Sequence, residues 1–218
     1  MKDRGAWKAG IFLILMLAAA VSWAHIPMVV TTDTTGYSDA LKIPRPGVSW
    51  ALYANLDSST DVDFYSFELS APMPCHVTVI VPYLPGYEDF YPAFAVVGPG
   101  LPAPKVALPF ELPQGYGAVV EKPTGATPRP TFFEEFSRKK YYKGISEFKQ
   151  KLGPGKYYIV VWHPGCETGA YVVGFGDKEG FTIRDWVNVA KVMPTIKKDA
   201  WIGKRAKTAT PGECKPVK

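Results

Sequence analysis

Proline and glycine interrupt this chain so often that no helical bundle fits between them. There are 21 prolines and 20 glycines in 218 residues, and both types break helix interiors. Between these breaks the apolar residues alternate with a period of two. Val62–Leu69 sets Val62, Phe64, Ser66 and Glu68 against Asp63, Tyr65, Phe67 and Leu69. Cys75–Val81 sets Cys75, Val77, Val79 and Val81 against His76, Thr78 and Ile80. Val48–Leu56, Phe94–Val97, Gly117–Glu121, Tyr157–Trp162 and Ala170–Phe175 read as further strands, the last two as a hairpin-like pair around Pro164–Gly169. Short strands without intervening helices predict an all-β fold, a β-sandwich or barrel. With 47% apolar residues the chain can bury a core of one domain.

One helix is expected near 182–193. Thr182 can cap it, Asp185 stands in its first turn, and Ile183, Trp186, Val187 and Ala190 share the face expected to lie on the sandwich, with Pro194 as the stop. Lys122–Pro154 reads as a long connection over a sheet edge, with Tyr141 and Tyr142 in a short strand.

The first 24 residues have the form of a secretory signal peptide. Lys2, Arg4 and Lys8 precede the apolar run Ile11–Val21, and Ser22-Trp23-Ala24 offers small residues for cleavage after Ala24. The run is too short to span a bilayer, so the protein is expected to be exported and then periplasmic, cell-surface or extracellular. The sandwich domain is expected over residues 25–196. The positive charge collects in residues 197–218, where seven Lys and Arg face Asp199 and Glu213 in a basic tail expected to be flexible. A nucleic-acid-binding domain carries its charge on the folded face, so no nucleic-acid partner is expected. Membrane contact is expected to be peripheral at most, through the tail. Export favours a disulfide, and Cys75–Cys166 is the preferred pair, leaving Cys214 free or intermolecular.

Two segments resemble a known family. Asp61-Val62-Asp63-Phe64-Tyr65-Ser66-Phe67 is similar to the D-x-D-x-[YF]-x-F strand of bacterial pre-peptidase C-terminal domains. Gly155–Val161 followed by Thr168–Val173 resembles the closing G-x-Y-x-[IV]-x-V and [TS]-G-x-Y segments of that family. The resemblance implies a small secreted domain that accompanies an enzyme and is a jelly-roll-like antiparallel β-sandwich, here a stand-alone version with a long insertion over Pro82–Pro154 and one short C-terminal helix. Apart from the family, Asp57, Asp61 and Asp63 are expected to cap a turn, or to ligate Ca²⁺ through oxygen.

The chemistry-bearing residues are few. Cleavage after Ala24 makes His25 the first residue, whose amine and ring nitrogen, with His76 or His163, form a nitrogen set that suits copper. A carrier or oxidative enzyme on those residues is the alternative function. This N-terminal histidine resembles the brace of copper-dependent polysaccharide monooxygenases and the leading histidine of periplasmic copper carriers. No nucleophile elbow, H-E-x-x-H or phosphate-binding glycine loop occurs, so catalysis is not expected. Tyr83, Tyr87, Phe90 and Tyr91 are candidate ligand-stacking rings. The expected function is a non-catalytic binding or accessory module for an envelope polymer or a secreted partner protein.

Overall fold

The computed structural model describes residues 25–122, 128–144 and 147–207; the signal peptide expected at residues 1–24 and Cys214 lie outside them. Two sheets face each other. One carries seven strands in the order β1(Ile26–Val29)-β3(Trp50–Leu56)-β12(Gly169–Phe175)-β5(Met73–Pro82)-β9(Lys139–Tyr142)-β8(Thr131–Glu134), with β10(Glu147–Leu152) beside β5. The other has the order β2(Leu41–Lys42)-β4(Val62–Leu69)-β11(Gly155–Trp162)-β6(Ala93–Pro99)-β7(Tyr116–Glu121). β1 runs parallel to β3 and β2 parallel to β4, while the other pairs are antiparallel. The fold is an all-β sandwich with one helix among the described residues.

Alternation places the core. Tyr65, Phe67 and Leu69 of β4, Phe94 and Val96 of β6, and Tyr157, Ile159 and Val161 of β11 meet Val77, Val79, Val173 and Phe175 between the sheets. The opposite side of the second sheet is apolar as well. Phe64, Ala95, Val97, Tyr158, Val160 and Trp162 form a smaller cluster, covered by Tyr37, Leu108 and Phe110 from two loops and by Tyr116 of β7. A sheet buried on both faces needs near-continuous apolar strands, which explains the runs YYIVVW and AFAVV.

Three expectations change. β11 and β12 are not a hairpin, because each belongs to a different sheet and Pro164–Gly169 crosses between them. Lys122–Pro154 is more than a connection over a sheet edge with one short strand: it supplies β9 and β10, which pair with β5, and β8, which pairs with β9. The Cys75–Cys166 bridge is absent. Cys75 points into the core as a free thiol, whose titration burial pushes up to about 11. Cys166 is disulfide-bonded, so its partner is not Cys75. In the sequence both cysteines stood at strand ends, but no register fixed which ends meet.

The helix, α1(Ile183–Lys197), is capped by Thr182 and Asp185 in a reciprocal box, as its sequence predicts. Pro194 lies inside its last turn and does not end it. Its buried side is Asp185, Val189 and Ile196, so Ile183, Trp186 and Val187 face outward, contrary to expectation. The side that turns inward carries Val192, Met193 and Ile196, which pack on the core, together with Asp185, paired with Arg45 at 2.6 Å.

No helix among the described residues is long and apolar enough to cross a membrane. The described part of the basic tail is docked on the sandwich. Trp201 is buried edge-on against Tyr53, and Arg205 reaches Thr168 O and Gly86 O at 3.1 Å each.

Candidate functional site

Two segments run together at one end of the second sheet: the loop Asp33–Asp39 and the start of β4. Because side chains alternate along β4, the pair presents different chemistry on its two sides. Asp61 and Asp63 point one way with Asp33, while Val62 and Phe64 point the other way with Tyr37.

The acidic side is the one place among the described residues where three potential metal ligands converge. One carboxylate oxygen from each of Asp33, Asp61 and Asp63 lies within 4.8 Å of the others. Asp63 is buried. Tyr171 Oη donates to its Oδ2, Thr34 Oγ1 approaches its Oδ1 at 3.5 Å, and Tyr65 Oη bonds Tyr171 Oη at 2.7 Å. Burial pushes the Asp63 carboxyl up to about 8, with Asp61 close by adding to the rise and the Tyr171 hydroxyl opposing it. Burial also pushes Asp61 up to about 6. Converging carboxylates need a proton or a cation to offset their repulsion. The donor set is all oxygen, which fits a hard ion such as Ca²⁺ and not copper. Of the expected trio Asp57, Asp61 and Asp63, Asp57 is instead in the turn, where its N–H donates to Asp61 Oδ2 at 2.5 Å. Asp33 takes its place. No spacing in the sequence joins residue 33 to residue 61, since the parallel approach of the loop to β4 is a tertiary event.

The apolar side is a groove of about 280 Å³ between the loops 35–37 and 109–111. Tyr37, Phe64 and Phe110 line it, and their rings meet edge-on at 5.0 and 5.8 Å. Phe110 also meets Trp162 edge-on at 5.6 Å, and Tyr37 meets Tyr158 at 4.7 Å. Glu111 and Thr35 supply polar rim groups. The walls are fixed by hydrogen bonds. Tyr37 Oη donates to Glu111 O at 2.9 Å, and Asp39 accepts from the backbone N–H groups of Thr35 and Gly36 at 2.9 and 2.8 Å. Those N–H groups hold the Asp39 carboxyl below its ordinary range. A groove of this volume stands at the small end of ligand sites. It has room for one ring-sized unit. Sequence reasoning missed it, because Tyr37 and Phe110 belong to loops without periodicity.

The expected ligand-stacking rings do not form one platform. Tyr87 and Phe90 are buried, and Tyr87 Oη accepts from Ala170 N at 3.0 Å. Tyr83 is exposed and packs on Tyr142, with Lys140 Nζ 4.1 Å from its ring centre. Tyr91 lies under the guanidinium of Arg129 at 4.2 Å.

The histidines separate. His76 adjoins Gly176, just past the end of β12, whereas His163 stacks on Phe90 at 5.0 Å, beside Gly169 at the strand's start. Both His76 nitrogens are engaged, Nδ1 by Asp177 at 2.6 Å and Nε2 by Glu147 at 2.8 Å. His163 Nδ1 accepts from Gly165 N and Glu167 N at 3.1 Å each, and burial lowers its pKa to about 4. His25 Nδ1 pairs with Ser49 Oγ, and burial holds its imidazole below the ordinary value. His76 is an electrostatic neighbour of His25.

Among solved structures, the chain is similar to the pre-peptidase C-terminal domain of collagenase from Bacillus anthracis. The identity is 15%, the match covers 65% of this chain and 99% of that chain, and the TM-score is 0.38. That is the domain type which the β4 and β11–β12 segments resemble. No family model and no curated protein matches the sequence.

Proposed function

We propose that the protein is an exported, non-catalytic β-sandwich module that binds an extended envelope polymer through the groove between loops 35–37 and 109–111. One observation carries this reading. Three aromatic side chains line a concavity whose walls are tied by the Tyr37–Glu111 and Asp39 hydrogen bonds. Rigid walls avoid the entropy of ordering loops on binding, and a ring-sized slot engages one unit of a chain while the rest of the chain extends past it. Nothing in such a groove transfers a group: its polar members, Thr35 and Glu111, hydrogen-bond a ligand at the rim.

The test uses protein exported by its own leader, whose intact mass is expected to begin at His25. Retention on insoluble peptidoglycan and cellulose is then compared for the parent, Phe110→Ala, Tyr37→Ala and the off-groove control Tyr83→Ala. The expected result is retention lost in the two groove variants and kept in Tyr83→Ala. Equal retention of all four forms, or none by the parent, overturns the groove as the binding site.

A further inference from the structure

The outward side of α1 is apolar where a solvated helix is polar. Ile183, Trp186 and Val187 are 86%, 43% and 52% exposed. At 100° per residue these three fall on one stripe with Ala190 and Pro194, apart from the side that carries the buried Val189 and Ile196 and the partly buried Val192. Phe181 stacks on Trp186 at 4.8 Å and extends the stripe beyond the N-cap.

The charges on this helix have one sign. Arg184, Lys191 and Lys198 follow one flank of the stripe and Lys197 falls within it at its C-terminal end, all exposed. The sole acid of the helix, Asp185, is turned inward and paired with Arg45. A helix with an aromatic apolar face, a basic border and no outward carboxylate has the composition of one that lies in a lipid–water interface. Asn188 Nδ2 donates to Pro27 O at 3.2 Å, which fixes the helix along β1 at the edge of the sandwich, with the stripe facing away from the fold.

We infer that this face docks the protein on an anionic phospholipid surface, with α1 parallel to the membrane plane and Trp186 at headgroup depth. Charge argues against a second copy as the occupant. In an antiparallel two-fold pairing each flank meets its own counterpart, which sets Arg184, Lys191 and Lys198 against the same residues of the other copy. A bilayer bearing anionic lipid offers those groups an opposite charge instead. This contact shares Lys197 and Lys198 with the start of the basic segment and is distinct from the residues after Lys198 and from the groove in the second sheet.

The test is sedimentation of the mature, full-length chain with phosphatidylcholine vesicles, plain or doped with phosphatidylglycerol. Binding is expected only to the doped vesicles and is expected to weaken with salt. Lys191→Glu and Lys198→Glu each reduce it by at least about fivefold, on the scale of one basic residue at an anionic surface. The triple variant Ile183→Ser, Trp186→Ser, Val187→Ser keeps the tail and abolishes binding. Brominated acyl chains quench the parent's fluorescence, and Trp186→Phe, which keeps the face apolar, removes that quenching while vesicles still bind. Undiminished binding by the triple variant overturns the inference in favour of the tail. Absence of binding by the parent overturns it, and so does a dimer that the triple variant dissolves. An unchanged melting temperature across the variants excludes misfolding as the cause.

Discussion

At the scale of single residues, Asp63 is the most consequential polar group in the fold. Its carboxyl is pushed up to about 8 from the ordinary 3.8, so between those values the folded state holds a proton that the unfolded state has released. The stabilisation that this proton represents is full below pH ~4 and is lost as pH rises through about 8. Asp63→Asn keeps an acceptor for Tyr171 and cannot ionise. Thermal melts from pH 4 to 8 are therefore expected to show a falling melting temperature in the parent and a flatter profile in the variant. A cation bound by Asp33, Asp61 and Asp63 would take the place of the proton. Calcium is expected to raise the parent's melting temperature at pH 8 and to leave Asp63→Asn unmoved; equal shifts in both would exclude the cluster as a calcium site. His163 has the opposite sign. Its pKa is lowered to about 4, so the stability it carries is present above its ordinary 6.5 and is lost as pH falls toward 4. His163→Gln keeps an acceptor for Gly165 N and Glu167 N, and less acid destabilisation is expected in its melts below pH 6.5 than in the parent's.

At the scale of elements, close packing between the sheets depends on one missing side chain. A Cβ at Gly98 of β6 would stand 2.1 Å from the Tyr157 ring, which is itself stacked on Phe67 at 5.5 Å. The ring cannot shift without displacing its neighbour. Gly98→Ala is expected to cost about 1–3 kcal/mol, as other overpacked cores do, measured as a lower denaturant midpoint with an unchanged slope. Much of this layer was legible from periodicity alone. Val62–Leu69 is β4 to the residue, Cys75–Val81 lies inside β5, and the capping box of α1 follows from Thr182 and Asp185. What periodicity cannot encode is which strand meets which. The YYIVVW and AYVVGF runs look like a hairpin locally, yet the turn between them carries the chain across the sandwich. The rotation of α1 was equally hidden. Trp186 was expected inward, but the inward side is the one where Val192, Met193 and Ile196 meet the core and Asp185 pairs with Arg45 across 140 positions. The groove and the Asp33 contribution to the acidic cluster depend on the same kind of long-range approach, between loops that carry no pattern of their own.

At the scale of the whole molecule, the segment after α1 closes the fold. Its net positive charge suggested a solvated terminus, whereas its described part is tied to three separate regions. Trp201 packs on Tyr53 of β3, and Asn55 holds Trp201 O and Gly203 N at 2.8 and 2.7 Å. Arg205 lies over the Phe90 ring at 4.5 Å and pairs with Glu167 in the turn that joins the two sheets. The basic residues here are thus partly structural, and Tyr87 and Phe90 are roofed by Arg205 rather than open to a ligand. Trp201→Ala removes a buried ring and is expected to destabilise the fold by about 3–5 kcal/mol. Arg205→Met keeps much of the apolar stem over Phe90 but leaves Glu167 without its partner, so a smaller loss that shrinks at high salt is expected. Equilibrium unfolding of both variants, with and without added salt, distinguishes a clasp from a loose terminus. In a clasp the Trp201 effect is large and independent of salt. A loose terminus would leave both midpoints at the parent's value.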